Sequence, residues 1–482
     1  MRRFVLLPIA ASLLAMTSAT LCAADLPERR STLADQRSVA VTVYNDSLAL
    51  VKEVRSLPLV AGPNRFALRD VSAKMRPETA LLRSLSLPGS LFVLEQNFDY
   101  DLLSPAKLLE KSVGGSVRIV KTNPATGEET VETAEVLAAS QGVVLKIGDR
   151  IETGIPGRIV FGDLPSELRD RPTLVSNFTS EKAGQQEVEL SYLTGGLSWQ
   201  ADYVAELSAD DARIDLNGWV TLRNQSGTTY SNAKLQLVAG DVNRVRDELV
   251  KPAAKMQINE LRKADAAPML SESLFEYHLY TLPRPTTVAN NQTKQVSLLG
   301  AAGVPASKEF LLAGADYYYN SQAGEIGRKL KVGVFVEFAN KEQSGLGLPL
   351  PKGVVRVYKR DSAGNAQFVG EDRIDHTPKN ETVRLKLGEA FDVTADKKQT
   401  DFRRREPTNR ASYLSESAYE IVLRNAKAED VVVTVREPVP GDWTMLEENQ
   451  RHKKAAAGTA EWKVKVPANG SATLKYRVLV RI

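Results

Sequence analysis

The chain has 482 residues, with 63 Lys and Arg against 59 Asp and Glu, three His and one Cys, for a formal net charge of +4. A single thiol excludes an intrachain disulfide and a cysteine-ligated zinc cluster, and three scattered imidazoles leave few of the usual general bases. The near balance of charge predicts no nucleic-acid partner, because such binders concentrate basic residues on one face.

The first 24 residues read as a secretory signal peptide. Arg2 and Arg3 give a positive start, residues 4–16 form an apolar run broken only by Pro8 and Ser12, and Cys22-Ala23-Ala24 supplies the small residues that a signal peptidase pocket admits. Cleavage is expected near Ala24, which leaves 458 residues starting at Asp25 with 61 basic and 59 acidic side chains and no thiol. The apolar run is shorter than the ~20 residues that cross a bilayer. Leu21 stands where lipoprotein processing wants a small residue, so a lipid anchor at Cys22 is disfavoured. No later stretch is apolar long enough to span a membrane, and a periplasmic or secreted location is expected.

Period-two alternation dominates the remainder and predicts half-buried strands. Residues 25–100 form an amino-terminal β region, with Val39, Val41 and Val43 on one face. Residues 101–165 read as a small SH3-like β-barrel module: Ser104 caps a short helix that begins at Pro105, Gly114-Gly115 ends it, and strands follow at residues 117–120, 131–137, 142–146 and 158–161. Residues 170–482 then form one or more β-sandwich domains. Two segments within them look like copies, WVTLRNQSGTTYSNAKLQLVAGD at 219–241 and YEIVLRNAKAEDVVVTVREPVPGD at 419–442, each a strand ending in Leu-Arg-Asn, a polar turn and a second strand closing on Gly-Asp. Asn224 and Asn425 suit that turn, since an amide side chain bonds nearby backbone.

The β pattern lapses at 241–275, a long loop with a helix near residues 254–262. Alternation resumes at Val332, Val334, Val336 and Phe338, and at Val383, Leu385 and Leu387. Residues 396–417 form a second candidate loop, and its basic cluster (Lys397, Lys398, Arg403, Arg404, Arg405) reads as solvated. Val431, Val433 and Val435 mark another strand, as do Leu474, Tyr476, Val478, Val480 and Ile482 at the end. Trp199, Trp219, Trp443 and Trp462 are assigned to strand cores or core edges. The expected fold is mainly β and multi-domain: Ig-like β-sandwiches with the inserted module and few short helices.

Little catalytic chemistry is legible. His278, His376 and His452 lie far apart in sequence, and Glu371, Asp372, Asp375 and His376, the densest group of possible ligands, lack a cation-loop spacing and read as a charged turn. Ser104-Pro105-Ala106-Lys107 matches Ser-x-x-Lys without its companion motifs, so Ser104 reads as an N-cap. Gly196-Leu197-Ser198-Trp199-Gln200 lacks the final glycine of a nucleophile elbow, and no phosphate-binding or dinucleotide glycine loop occurs, so no cofactor is expected. Six Asn-x-Ser/Thr sequences read as turn chemistry. Tyr317, Tyr318 and Tyr319 could stack on a sugar or peptide, or pack as ordinary strand tyrosines.

Several strings in one order carry a likeness: GLSWQADY at 196–203, LVAGDVN at 237–243, TLPRPTTVANNQTKQVSLL at 281–299, GLGLPLPKGVVRVYKRD at 345–361, GEDRIDHTPKNE at 370–381 and VPANGSATLKYRV at 466–478. From about residue 191 onward the chain resembles the bacterial family named domain of unknown function forty-one thirty-nine. More loosely, VTVYNDSLALVKEVRSLPLVAGPNRF at 41–66 resembles the amino-terminal β domain of mucoidy-inhibitor-type proteins, without their long heptad-bearing helix. The resemblance implies a β-rich exported protein and supplies no catalytic residue. The expected function is non-catalytic binding of an envelope protein or polysaccharide; the alternative is a hydrolase of envelope polysaccharide or peptide that uses two carboxylates.

Overall fold

The computed structural model describes residues 26–45, 47–140, 142–162, 168–240, 243, 269–405 and 414–481. The signal sequence, Cys22, the helix expected near 254–262, most of the loop expected at 241–275 and Ile482 lie outside them. The described chain is mainly β, with several multi-strand sheets, no closed barrel and a single α-helix. No described helix is long and apolar enough to cross a membrane. The chain divides into two compact units, one from Met1–Arg37, Val54–Val71 and Ala80–Leu190, the other from Ser38–Glu53, Ser72–Thr79 and Ser191–Ile482.

In the first unit a sheet runs Arg29–Ser31, Gly62–Arg69, Thr173–Ser180, Leu91–Asp99, with only the first pair parallel. Phe66 and Phe178 stack beneath it with ring centroids 5.9 Å apart. Arg55 is fully buried, and its guanidinium donates to the carbonyls of Ser31 at 3.2 Å and Arg69 at 2.6 Å. Such a cation is tolerated because its head group bonds backbone carbonyls that burial would otherwise leave unpaired.

The inserted module lies in this unit. Ser104 Oγ accepts from the amide of Lys107 and caps the helix Pro105–Lys111, while the Lys107 ammonium goes to Asp101 and Glu110. Lys107 is therefore not aimed at Ser104, and the capping reading holds. The strands form an antiparallel sheet in the order Arg150–Thr153, Val144–Ile147, Glu129–Ala138, Ser116–Thr122, Arg158–Val160. The sheet is open where a barrel was expected, because its two end strands each bond a single neighbour. Leu109 of the helix joins Val117, Ile119, Val136 and Leu145 in a small core.

The second unit contains the two look-alike segments, and they are copies in geometry. Strands Arg213–Asn224 and Tyr230–Ala239 match Leu414–Asn425 and Val431–Pro438. Asn224 Nδ2 donates to the carbonyls of Thr228 at 2.9 Å and Val288 at 3.0 Å, while its Oδ1 accepts from the Ser226 amide at 3.0 Å. Asn425 repeats this with Glu429 at 2.8 Å, Val466 at 3.4 Å and the Lys427 amide at 3.0 Å. Three residues after each receiving valine stands an asparagine in the left-handed region, Asn291 at φ 56° and Asn469 at φ 50°. The next residues, Gln292 and Gly470, then pair with Asn224 and Asn425 respectively.

One strand belongs to both copies. The first half of Gln292–Ala313 pairs antiparallel with Arg213–Asn224, as Gly470–Arg481 pairs with Leu414–Asn425. Its last residues pair parallel with Val431–Pro438, as Gln36–Tyr44 pairs with Tyr230–Ala239. The closing strand of the first repeat thus continues as the opening strand of the second.

Where the two expected loops fall on described residues after 269 and 395, they are strand. Residues 270–274 pair with Tyr277–Thr281, and the segment from 396 onward extends the strand Thr382–Arg405. Within it Val393, Ala395, Lys397 and Gln399 point inward, so the basic cluster stands on a strand rather than in a loop and Lys397 is buried, while Lys398 and Arg403 are exposed as expected. The other alternation readings hold: Leu474, Tyr476, Val478 and Val480 are all buried on one face. All four tryptophans lie on strands, with Trp219 half-buried and the others buried.

Each asparagine bracket closes its turn with four bonds to one buried amide. N224A and N425A should each lower stability by about 2–3 kcal/mol, since each change leaves buried backbone groups unpaired. Urea denaturation checks this, and equal losses are the signature of equivalent positions.

Candidate functional site

The second repeat holds an ion pair buried in its core. Lys397 and Glu437 are 2 % and 0 % exposed, and the Lys397 ammonium donates to both Glu437 carboxylate oxygens at 2.7 Å. Each ends an apolar face, Lys397 after Val393 and Ala395, Glu437 after Val431, Val433 and Val435. The Tyr319 hydroxyl donates to Glu437 Oε2 at 3.2 Å and lies 3.0 Å from the Tyr476 hydroxyl. The ammonium sits 4.3 Å from the ring centre of Tyr318 and 5.1 Å from that of Tyr419. Burial pushes the Lys397 ammonium below its ordinary range against the pull of Glu437. The same burial pushes the Tyr419 hydroxyl up to about 12 and those of Tyr319 and Tyr476 well above their usual value. Gly314 is required here, because a Cβ at that position would lie 2.1 Å from Glu437 Oε2.

The rings continue outward as a ladder. Tyr319 meets Tyr419 edge-on at 5.3 Å, Tyr419 stacks on Tyr476 at 5.1 Å, and Tyr476 stacks on Trp462 at 4.8 Å. His452 follows, tilted between Trp462 and Trp443. Its Nδ1 lies 2.9 Å from Glu448 Oε2, which also accepts from Trp462 Nε1 at 3.0 Å.

Beside the ladder opens a cavity of about 460 Å³ whose lining includes Tyr419, Tyr476, Glu420, Glu448, Lys475 and Arg477. Its charges are mutually engaged. Glu420 lies 2.7 Å from the Lys398 ammonium and 3.0 Å from that of Lys475, and these bonds hold its carboxyl below the usual range. Arg477 donates to Asp401 and Glu416, both at 2.8 Å.

The tyrosines singled out from sequence meet this site but not on a strand. Residues Asp316–Tyr319 make a 3-10 turn, which sends the three side chains to different depths. Tyr317 is 64 % exposed and lies edge-on to Tyr318 at 4.7 Å, whereas Tyr319 is fully buried. The Tyr318 carbonyl accepts from the Tyr419 hydroxyl at 2.7 Å, which fixes the turn.

Glu371, Asp372, Asp375 and His376 do not converge. The first two lie on the strand Ala366–Ile374 rather than in a turn, and alternation sends them to opposite faces. Glu371 pairs with Arg356 at 3.3 Å, Asp372 Oδ2 accepts from the Lys386 amide at 2.7 Å, and His376 Nδ1 accepts from the Lys352 amide at 3.2 Å. The Asp375 carbonyl accepts from Thr377 Oγ1. Among the described residues no three His, Cys, Asp or Glu side chains are grouped as metal ligands.

The quoted family strings are largely scaffolding. In GLSWQADY, Asp202 accepts from Thr221, Gln200 and Arg356, and the Tyr203 hydroxyl donates to the Pro351 carbonyl at 2.8 Å. In GLGLPLPKG, Asn340 bonds the Leu348 carbonyl and the Gly347 amide, and a Cβ at Gly353 would lie 2.2 Å from the Ala201 carbonyl oxygen.

Fold and site together define a mainly β protein with a tandem repeat and an ion pair sealed in the core of its second copy. Residues 188–482 match the family described as Domain of unknown function (DUF4139), and the chain belongs to that family. The match stops short of the amino-terminal residues, so the looser likeness to mucoidy-inhibitor-type proteins gains no support. No curated protein matches the chain.

Removing one member of the buried pair leaves an uncompensated charge. K397M and E437M should each be less stable than K397M/E437M by about 3–5 kcal/mol, because each single change leaves one buried charge without its partner, as a denaturant double-mutant cycle will measure. The Glu420 carboxyl, held down in the folded state, contributes stability above its unfolded pKa and loses it as pH falls through the folded value. Replacing Lys398 and Lys475 by alanine should move its midpoint upward toward the ordinary glutamate value of about 4.3, read by carboxyl NMR titration.

Proposed function

We propose that this protein is exported to the bacterial cell envelope and binds another envelope protein or polysaccharide there, without catalysing a reaction. The carrying observation is the electrostatic state of its carboxylates. A glycosidase-type hydrolase needs one carboxyl raised so that it donates a proton near neutrality, beside a second that stays ionised. Among the described residues every carboxyl with a shifted pKa is shifted downward, Glu420 in the cavity included. Glu448, also in the cavity, is engaged by His452 and Trp462. Both carboxylates are thus bonded to neighbouring side chains of the chain itself.

A contact role makes use of Tyr317 instead. Its exposed ring rests on a turn fixed from below by buried tyrosines, so little conformational freedom is lost when a sugar face or peptide packs on it. The amino-terminal sequence, with its charged start, short apolar run and small-residue exit, supports export.

The test is to immobilise the chain from Asp25 onward, expose it to periplasmic extract and to peptidoglycan and capsule fragments, and assay the same fragments for turnover. We expect retention of a partner, weakened several-fold in Y317A, and no turnover. Turnover of a fragment without any retained partner would overturn the reading.

A further inference from the structure

We propose that Lys397 and Glu437 condense to an intramolecular amide that staples the core of the second repeat. The two residues stand on Thr382–Arg405 and Val431–Pro438, which bond to different neighbouring strands, so their side chains meet across the core. The amine nitrogen touches both carboxylate oxygens at 2.7 Å, and neither group has appreciable contact with solvent.

Two physical effects favour the reaction. In water, joining an ammonium to a carboxylate is unfavourable largely because two well-hydrated ions are lost. Here folding has already removed that hydration, at a cost of several kcal/mol per ion, and the neutral amide relieves it. Fixing the reacting atoms in contact also converts a bimolecular encounter into an intramolecular one.

The step balances without a co-reactant. A proton passes from Lys397 Nζ to Glu437, giving amine and carboxylic acid, and the carboxyl turns about Cγ–Cδ to present its face to nitrogen. The nitrogen lone pair adds to Cδ, one Cδ–Oε bond breaks, and the hydroxyl leaves with a second nitrogen proton as water. The Tyr319 hydroxyl, 3.2 Å from Oε2 and backed by Tyr476, supports the oxygen on which charge accumulates. Gly314 admits the carboxyl at this place, since a Cβ there would collide with Glu437 Cδ and both of its oxygens.

Peptide mapping decides the matter. The folded chain is kept at neutral pH, denatured, digested with trypsin and analysed by mass spectrometry beside K397M/E437M. We expect a branched peptide joining the Lys397 and Glu437 segments, lighter by one water than the two linear peptides together and absent from the double variant. E437Q should give the same branched product, with ammonia leaving in place of water. Recovery of only linear peptides from the natural chain, with Lys397 and Glu437 both free, would overturn the proposal and leave a plain ion pair.

Discussion

A charge pair closed off from water sets the terms for everything packed around it. Lys397 and Glu437 give up their hydration on folding, and a core of aliphatic side chains alone could not offset that. The surroundings answer the cost piece by piece: Tyr319 bonds the carboxylate, the faces of Tyr318 and Tyr419 flank the ammonium, and Gly314 withdraws its side chain. The stacked rings of Tyr419, Tyr476 and Trp462 follow, since two tyrosine hydroxyls committed at the centre fix the planes of those rings.

Much of the fold was legible because alternation is a local signal. Valines 431, 433 and 435, the closing strand and the capped helix at Pro105 were readable from spacing alone, and so was the repeated Leu-Arg-Asn turn. The asparagine does the same work in both copies because the turn needs one donor for two carbonyls and one acceptor for an amide, which no other side chain of that length supplies. Closure of the inserted sheet was not legible, since it depends on whether the end strands meet, and no sequence spacing specifies that.

The ion pair escaped notice for a different reason. Lys397 was grouped with the basic residues that follow it, and Glu437 was not singled out within the segment 419–442. Yet each continues a period-two face: Val393, Ala395, Lys397 on one strand, and Val431, Val433, Val435, Glu437 on the other. Two opposite charges that each extend a hydrophobic alternation are a usable signal for a buried pair. The tyrosines at 317–319 were visible as a group but not in their depths, because a 3-10 turn replaces the strand geometry that would have alternated them.

The strand Gln292–Ala313 ends one repeat and begins the next without a linker. A force drawing the two copies apart therefore acts along a continuous backbone whose hydrogen bonds lie across the pull. Such bonds are strained in shear and must give way together, rather than peel open one after another. The tandem is consequently suited to hold under tension, and the two copies cannot reorient as if joined by a flexible tether.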